Sequence, residues 1–323
     1  MTRQMYQKIL VTGGAGFIGG YVVDELVQRG YSVVILDNLS SGSLKYVNPQ
    51  ADFIHGDVRN REDVRKAFLK GIDAVIHIAG QASIKLSFMD PYNDLETNTL
   101  GTVNIIQACI EHGIERLLYA SSMTIYGTPK VVPTTEDSPI APVSYYAVTK
   151  YAGERYVHIA PNHPGLKKPL NVTSLRMFNV YGARQSLSNP YQGVLAIFIG
   201  RVLRNEPIII HSDGEQSRDF VYVTDVARAW ADTLENPDTI GQVMNVGAGK
   251  PISVNKLCDL VLNVFGKSRN DFPVQYAPAQ PGDIRHSIAD ITRIQNILNW
   301  SPQVDMEEHG IRATVEWARQ QSA

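Results

Sequence analysis

The chain has 323 residues, 44% of them hydrophobic and 19% charged, a length for about two domains and a composition ordinary for a globular protein. Its net charge of −2 leaves no basic surplus for holding nucleic acid or an anionic membrane. Cys109 and Cys258 are too few for a disulfide framework, no CxxC pair exists for zinc, and there is neither a leader-like N-terminus nor an apolar run of roughly 18 residues; reduced buried thiols, no metal site and a cytoplasmic location are therefore expected.

The first half of the chain alternates two patterns. "QKILVTG" is an apolar run ended by glycines, and "FIGGYVVDELVQRG" then keeps helical spacing up to Gly30. "YSVVILD", "ADFIHGD", "DAVIHIAG", "ERLLYASS" and "NVTSLRM" are further strand-like runs; the helical stretches "REDVRKAFLK" and "DLETNTLGTVNIIQACIEHG" lie among them. This alternation predicts an α/β fold, a Rossmann-type doubly wound parallel sheet with helices on both faces. Past residue 180 the loops lengthen and carry Pro, Gly and Ser. Short strands ("PIII", "QVMNVG", "PVQYAP") there alternate with helices ("VLAIFIGRVLRN", "VTDVARAWADTLEN", "SVNKLCDLVLNVFG"). Residues 1–180 are thus expected to form the sheet domain and residues 181–323 a smaller α+β lobe, with a soft boundary across which segments interleave.

Three features carry chemistry. Gly13, Gly16 and Gly19 stand between the first strand and the first helix, where a tight turn, a closely approaching pyrophosphate and a closely packed helix each favour a residue without Cβ. A glycine cluster alone marks only a turn. Asp37, which ends the second strand 18 residues past Gly19, adds the carboxylate that holds adenosine ribose hydroxyls, and it disfavours a 2′-phosphate, so NAD is preferred to NADP. Asp57 follows the third strand and is placed to cap the adenine, while small residues around Ala79 end the fourth. Tyr146 and Lys150 are four apart and so share a helix face; the ammonium is expected to draw the phenol down toward neutrality as a general base. Ser122, at the end of the fifth strand, is the natural hydroxyl to hold a substrate oxygen beside them.

With these motifs in view, the chain resembles the extended short-chain dehydrogenases/reductases, specifically the nucleotide-sugar epimerase/dehydratase group. The resemblance runs through almost the whole sequence, from "TGGAGFIGG", "LDNLSSG", "GDVRN" and "HIAGQAS" through "NTLGTVNIIQAC", "SSMTIYG", "YYAVTK" and "RMFNVYGARQ" to "SRDFVYVTDV", "NVGAGKPIS" and "PGDIRHSIAD". It implies Ser122, Tyr146 and Lys150 as catalytic residues, with Thr124 assisting. It implies NAD contacts from Gly13, Gly16, Phe17, Ile18, Asp37, Asn38, Ser41, Gly42, Asp57, Val58, Ala79, Gln81 and Asn98, besides Tyr146 and Lys150. For a nucleoside-diphosphate sugar it implies Asn179, the phosphate-binding Arg218, and Ser287 at the position that limits bulk at the hexose C2 substituent. Ser287 is small, so N-acetylated sugars are expected to fit. The resemblance also implies a homodimer through helices in "NTLGTVNIIQACIEHG" and "YYAVTKYAGERYVHIA", although their periodicity suits sheet-covering helices equally.

Two departures bear on the reaction. Where the family commonly has Arg-x-Gly-Asp, this chain has Gln280, Pro281, Gly282 and Asp283, and Arg285 and Arg184 stand as candidates to compensate. Dehydratases of the group place an Asp-Glu pair directly after the catalytic hydroxyl, and decarboxylases usually keep the glutamate; here those positions are Met123 and Thr124, neither of which shuttles a proton as a carboxyl does. The resemblance then implies transient oxidation at C4, rotation of the 4-keto sugar, and hydride return to its other face. The expectation is an NAD-dependent 4-epimerase of UDP-hexoses, of the UDP-glucose/UDP-galactose type. Epimerisation of a GDP-, dTDP- or CDP-sugar is the alternative, ahead of a dehydratase, a decarboxylase or a non-catalytic NAD-binding regulator.

Overall fold

A strand that is apolar along both faces must be covered on both, so the repeating strand–helix pattern has a helix-sandwiched parallel sheet as its outcome. The computed structural model describes residues 5–187, 193–279 and 284–322. In chain order the first part forms β1 (Lys8–Thr12), α1 (Phe17–Gln28), β2 (Ser32–Asp37), β3 (Asp52–His55), α2 (Arg61–Phe68), β4 (Ala74–His77), α3 (Ile84–Met89), α4 (Pro91–Leu95), α5 (Gly101–His112), β5 (Arg116–Ser122), α6 (Tyr145–Ile159) and β6 (Asn171–Met177). The second part forms β7 (Asn179–Tyr181), α7 (Val194–Leu203), β8 (Ile208–His211), β9 (Ser217–Tyr222), α8 (Val223–Glu235), β10 (Val243–Val246), β11 (Pro251–Ser253), α9 (Val254–Val264), β12 (Val274–Ala277), β13 (His286–Ser287), α10 (Thr292–Leu298) and α11 (Ile311–Ser322).

Seven strands make one parallel sheet in the order β10-β6-β5-β4-β1-β2-β3, the doubly wound arrangement of the Rossmann type. The order reverses between β1 and β4, which leaves a crevice at the C-terminal ends of these strands. One face of the sheet packs on α1 and α8 through Val22, Val23, Leu26, Val226 and Trp230. The other packs on α2, α5 and α6 through Val64, Phe68, Ile105, Cys109 and Val157. Glycine ends two of these helices where the backbone must turn left-handed: Gly30 has φ +89° and Gly113 φ +66°.

The stretch 94–113, one helical pattern in the sequence, is a continuous run with a π-helical turn, Glu96–Leu100, between α4 and α5. Asn98 lies in that turn, buried. Beyond residue 180, β10 joins the large sheet beside β6, and α8 packs on α1, so these segments return to the first unit. The remaining elements form the smaller lobe. Its core holds Phe198, Ile199, Leu257, Val261, Ile311 and Val315 under the β11-β9-β13 sheet, to which β7 adds. Cys109 and Cys258 are free thiols, both buried. Among the described residues no helix is long and apolar enough to cross a membrane.

Candidate active site

A cavity of about 1180 Å³ opens at the strand ends, walled by the large sheet on one side and the smaller lobe on the other. Its floor begins at the β1–α1 turn. Gly13 has φ +73°, and a Cβ there would stand 2.8 Å from the backbone nitrogen of Ala79, so the turn lies directly against the end of β4. A Cβ on Gly19 would collide with the Gly13 carbonyl oxygen, which is how α1 starts so close to β1. The α1 N-cap, Gly16, provides no side-chain hydrogen bond, leaving its first N–H groups to an anion. This cradle fits a pyrophosphate, and with it the dinucleotide that the sequence points to.

Asp37 lines the cavity at the end of β2 and also holds the turn: Oδ2 accepts from Ala15 N at 3.0 Å and Oδ1 from Leu39 N at 2.7 Å. Phe17, Ile18, Asn38, Ser41, Val58, Ala79 and Gln81 line the same groove. Gly42, Asp57 and Asn98 are not on the wall but act behind it. A Cβ on Gly42 would press on Ala15. Asp57 accepts from Asn38 at 2.8 Å and pairs with Arg59 at 2.7 Å; burial works to raise its carboxyl, but the Arg59 and Asn38 hydrogen bonds outweigh it and hold it down at about 2. Asn98 clasps the turn after β4, its Oδ1 accepting from Gln81 N at 2.9 Å and its Nδ2 donating to Gln81 O at 3.0 Å.

Beneath Ala79 lies His77, wholly buried at the end of β4. The Thr102 hydroxyl donates to Asn98 O at 2.6 Å, so it can only accept from His77 Nε2 at 3.0 Å; Nδ1 is then the acceptor for the Thr12 hydroxyl at 2.7 Å. A neutral ring satisfies both bonds. Burial, with the Lys150 charge adding, pushes its pKa down to about 3.

Ser122, Tyr146 and Lys150 meet on the opposite wall, all nearly buried. β5 ends at Ser122, and a short 3₁₀ turn, Met123–Tyr126, carries the chain on. Ser122 Oγ accepts from Thr124 N at 3.3 Å and from Thr124 Oγ1 at 3.0 Å, which leaves its own proton to be donated; Tyr146 is its partner. α6 starts at the Ser144 cap, which accepts from Ala147 N at 3.1 Å, and this fixes the face on which Tyr146 and Lys150 stand. The Lys150 ammonium lies 4.4 Å from the Tyr119 ring centroid, a cation–π seat. The expected lowering of the Tyr146 pKa is not what the surroundings produce. Burial raises it, the Ser122 hydrogen bond lowers it less, and Asp94 raises it further. Lys150 is itself desolvated: burial pushes it down to about 7 while Asp94 and Glu154 hold it up.

On the lobe side Asn179 lines the cavity, its Nδ2 donating to Asp219 O at 3.1 Å. Arg218, Arg285 and Ser287 are not among its lining residues. The Arg218 guanidinium donates to the carbonyls of Ser217 at 2.9 Å and Ile284 at 2.6 Å. Arg285 pairs with Asp213 at 2.6 Å on the exterior, and Ser287 is buried on β13 beside β9. Gln280, Pro281, Gly282 and Asp283 lie outside the described residues. Sequence reasoning missed Arg59, Tyr46, Gln185 and Phe220, which also line the cavity. Arg59, Gln185 and Phe220 had a local signal, their places in "GDVRN", "RMFNVYGARQ" and "SRDFVYVTDV"; Tyr46 had none. Among the described lining residues the one carboxylate is Asp37, at the glycine-turn end.

The sequence matches the model of the NAD-dependent epimerase/dehydratase family over residues 9–247. The UDP-glucose 4-epimerase of Mycolicibacterium smegmatis is 36% identical over 328 residues, covering 98% of this chain and 99% of that protein. The solved UDP-glucose 4-epimerase of Thermotoga maritima, with UDP-glucose, is 38% identical with a TM-score of 0.91, covering 98% of this chain and 100% of that one. The UDP-N-acetylglucosamine 4-epimerase of Methanobrevibacter ruminantium M1, in complex with UDP-N-acetylmuramic acid, is 34% identical with a TM-score of 0.89, covering 98% and 99%.

Proposed function

The chain belongs to the NAD-dependent epimerase/dehydratase family, and from that premise we propose that it is a 4-epimerase of UDP-hexoses, of the UDP-glucose/UDP-galactose type. The observation that carries this reading is the composition of the reacting wall. Ser122, Tyr146 and Lys150 are grouped there, and Met123 and Thr124 occupy the places where elimination needs acids. NAD, when bound, supplies a reversible acceptor for the electron pair of the sugar C4–H bond. Ser122, whose lone pairs are taken by Thr124, turns its one proton from Tyr146 to the 4-oxygen when the sugar is bound and orients it. Tyr146, once it has given up its own proton, takes that of the 4-hydroxyl, and the charge of Lys150 on the same helix face is what favours this ionised form against the burial that opposes it. With no carboxylate on the reacting wall among the described lining residues to remove another proton, Tyr146 returns its own to the 4-oxygen, and the product differs in which face of C4 regained hydrogen. Incubation with UDP-galactose tests this, the reaction being stopped and its UDP-glucose then measured with a UDP-glucose dehydrogenase supplied with its own NAD. Conversion without added NAD is expected; a requirement for stoichiometric NADH would contradict it.

The roles of Asn179, Arg218 and Ser287 toward the UDP-sugar belong to the same proposal, as does acceptance of N-acetylated sugars, which the Methanobrevibacter relative supports. If Ser287→Tyr left turnover of UDP-N-acetylglucosamine relative to UDP-glucose unchanged, that part would fall. A homodimer is supported by exposed apolar side chains along one side of the large domain: Phe88, Met89, Tyr92 and Leu95 from α3 and α4, with Tyr156 and Ile159 from α6. The other helix expected there, α5, has its apolar residues inside. A cytoplasmic location accords with the two unpaired thiols.

A further inference from the structure

The chain leaving β2 crosses the mouth of the cavity as a strap, residues 38–48, and its Ser40, Ser41, Ser43 and Tyr46 form part of the wall. The first half of the strap is seated on the glycine turn. Ser43 N donates to Ala15 O at 3.0 Å, and a Cβ on Gly42 would stand 2.7 Å from that same oxygen. The second half is held from elsewhere. Arg184, in the loop after β7, takes a left-handed φ of +68° and reaches across from the smaller lobe. Its guanidinium lies 4.5 Å from the Tyr21 ring centroid on α1 and 5.5 Å from that of Tyr46 on the strap. It also donates to Asp24 Oδ2 at 2.8 Å. The other oxygen of the same carboxylate accepts from Asn48 Nδ2, at the far end of the strap, at 2.8 Å. α11 adds a third hold: Gln321 Oε1 accepts from Lys45 Nζ at 2.6 Å and from the Tyr46 hydroxyl at 3.4 Å.

We propose that Arg184 is a positioning residue that pins the strap across the dinucleotide groove and sets how long the cofactor stays bound. The inference rests on the reading of this cavity as an NAD site. The arginine is committed on three sides, to a carboxylate and two rings, which is the geometry of a latch rather than of a ligand for the substrate diphosphate. The chemistry gives the latch a purpose, because the electrons taken from C4 must return to the same sugar, and a cofactor that left between the two half-reactions would strand the keto sugar.

The test is the rate at which bound NAD exchanges with excess 1,N6-etheno-NAD, followed by nucleotide content after rapid desalting, for wild type, Arg184→Ala, Arg184→Lys and Asp24→Asn. Losing two cation–π contacts and one partly exposed ion pair is expected to speed release by about ten- to a hundredfold in Arg184→Ala. Arg184→Lys, which keeps the charge for Asp24 but loses the planar stacking, is expected to fall between it and wild type. A merely structural role would lower thermal stability without this graded change in release. If Arg184→Ala does not fold, Asp24→Asn and Gln321→Ala decide by the same rate. Release within twofold of wild type in every folded variant overturns the latch while leaving the epimerase reading intact. A wild type that neither retains nor takes up either nucleotide overturns both.

Discussion

Thr124 shows how much one hydroxyl can set. It saturates the lone pairs of Ser122 and so turns the Ser122 proton outward. Thr124→Val is expected to lower kcat by about 3- to 10-fold with little change in KM, whereas Tyr146→Phe, which removes the proposed acid–base group itself, is expected to cost about 10³-fold or more; the coupled UDP-galactose assay reads both. His77 gives a pH signature. Its folded pKa lies near 3 against an ordinary 6.5, so between those values the unfolded chain binds a proton that the folded chain does not. Stability from this group is therefore complete above about pH 6.5 and is lost as pH falls, by about 2 kcal/mol at pH 5 at about 1.4 kcal/mol per unit. Urea titrations at pH 7 and pH 5 are expected to show a smaller loss in His77→Gln than in wild type. The sequence made Gly13, Asp37, Ser122, Tyr146 and Lys150 legible, because each sits at a strand end or at helical spacing. It could not show that Tyr146 would itself be buried deeply enough to raise its pKa, since burial is a property of the packed molecule.

At the scale of elements, strands were the most readable part. Runs such as "VVILD" and "RLLYASS" are apolar on both faces, which only a covered parallel sheet satisfies. What was hidden is long-range. Nothing local says that "QVMNVG" will be the edge strand beside β6, or that "VTDVARAWADTLEN" will lie on α1. The join depends on Asp219 of β9, whose buried carboxylate accepts from Ala248 N at 2.6 Å, Gly249 N at 2.9 Å and Ala289 N at 3.0 Å. Asp219→Ala leaves three donors without this partner and is expected to lower stability by about 3 kcal/mol or more, measured by urea unfolding. The apolar side formed by α3, α4 and α6 makes its own prediction. The protein is expected to run as a dimer in light scattering, and Phe88→Asp combined with Tyr156→Asp to run as a monomer; a monomeric wild type at micromolar concentration would refute that interface.

For the whole molecule, the function follows from where two units meet. The sheet supplies the cradle and the reacting wall, the lobe supplies Asn179 and Phe220, and the strap between them is held by groups from both. The central claim is that hydrogen leaves C4 of the sugar and comes back to the same carbon, the 4-hydroxyl proton leaving and returning with it and no carbon–oxygen bond being broken. UDP-galactose deuterated at C4 tests it most directly, with the product analysed by mass spectrometry and NMR and no reductant added. The account predicts UDP-glucose that keeps its deuterium at C4. A product that has lost water, or UDP-glucose that has lost its deuterium to solvent, would contradict it.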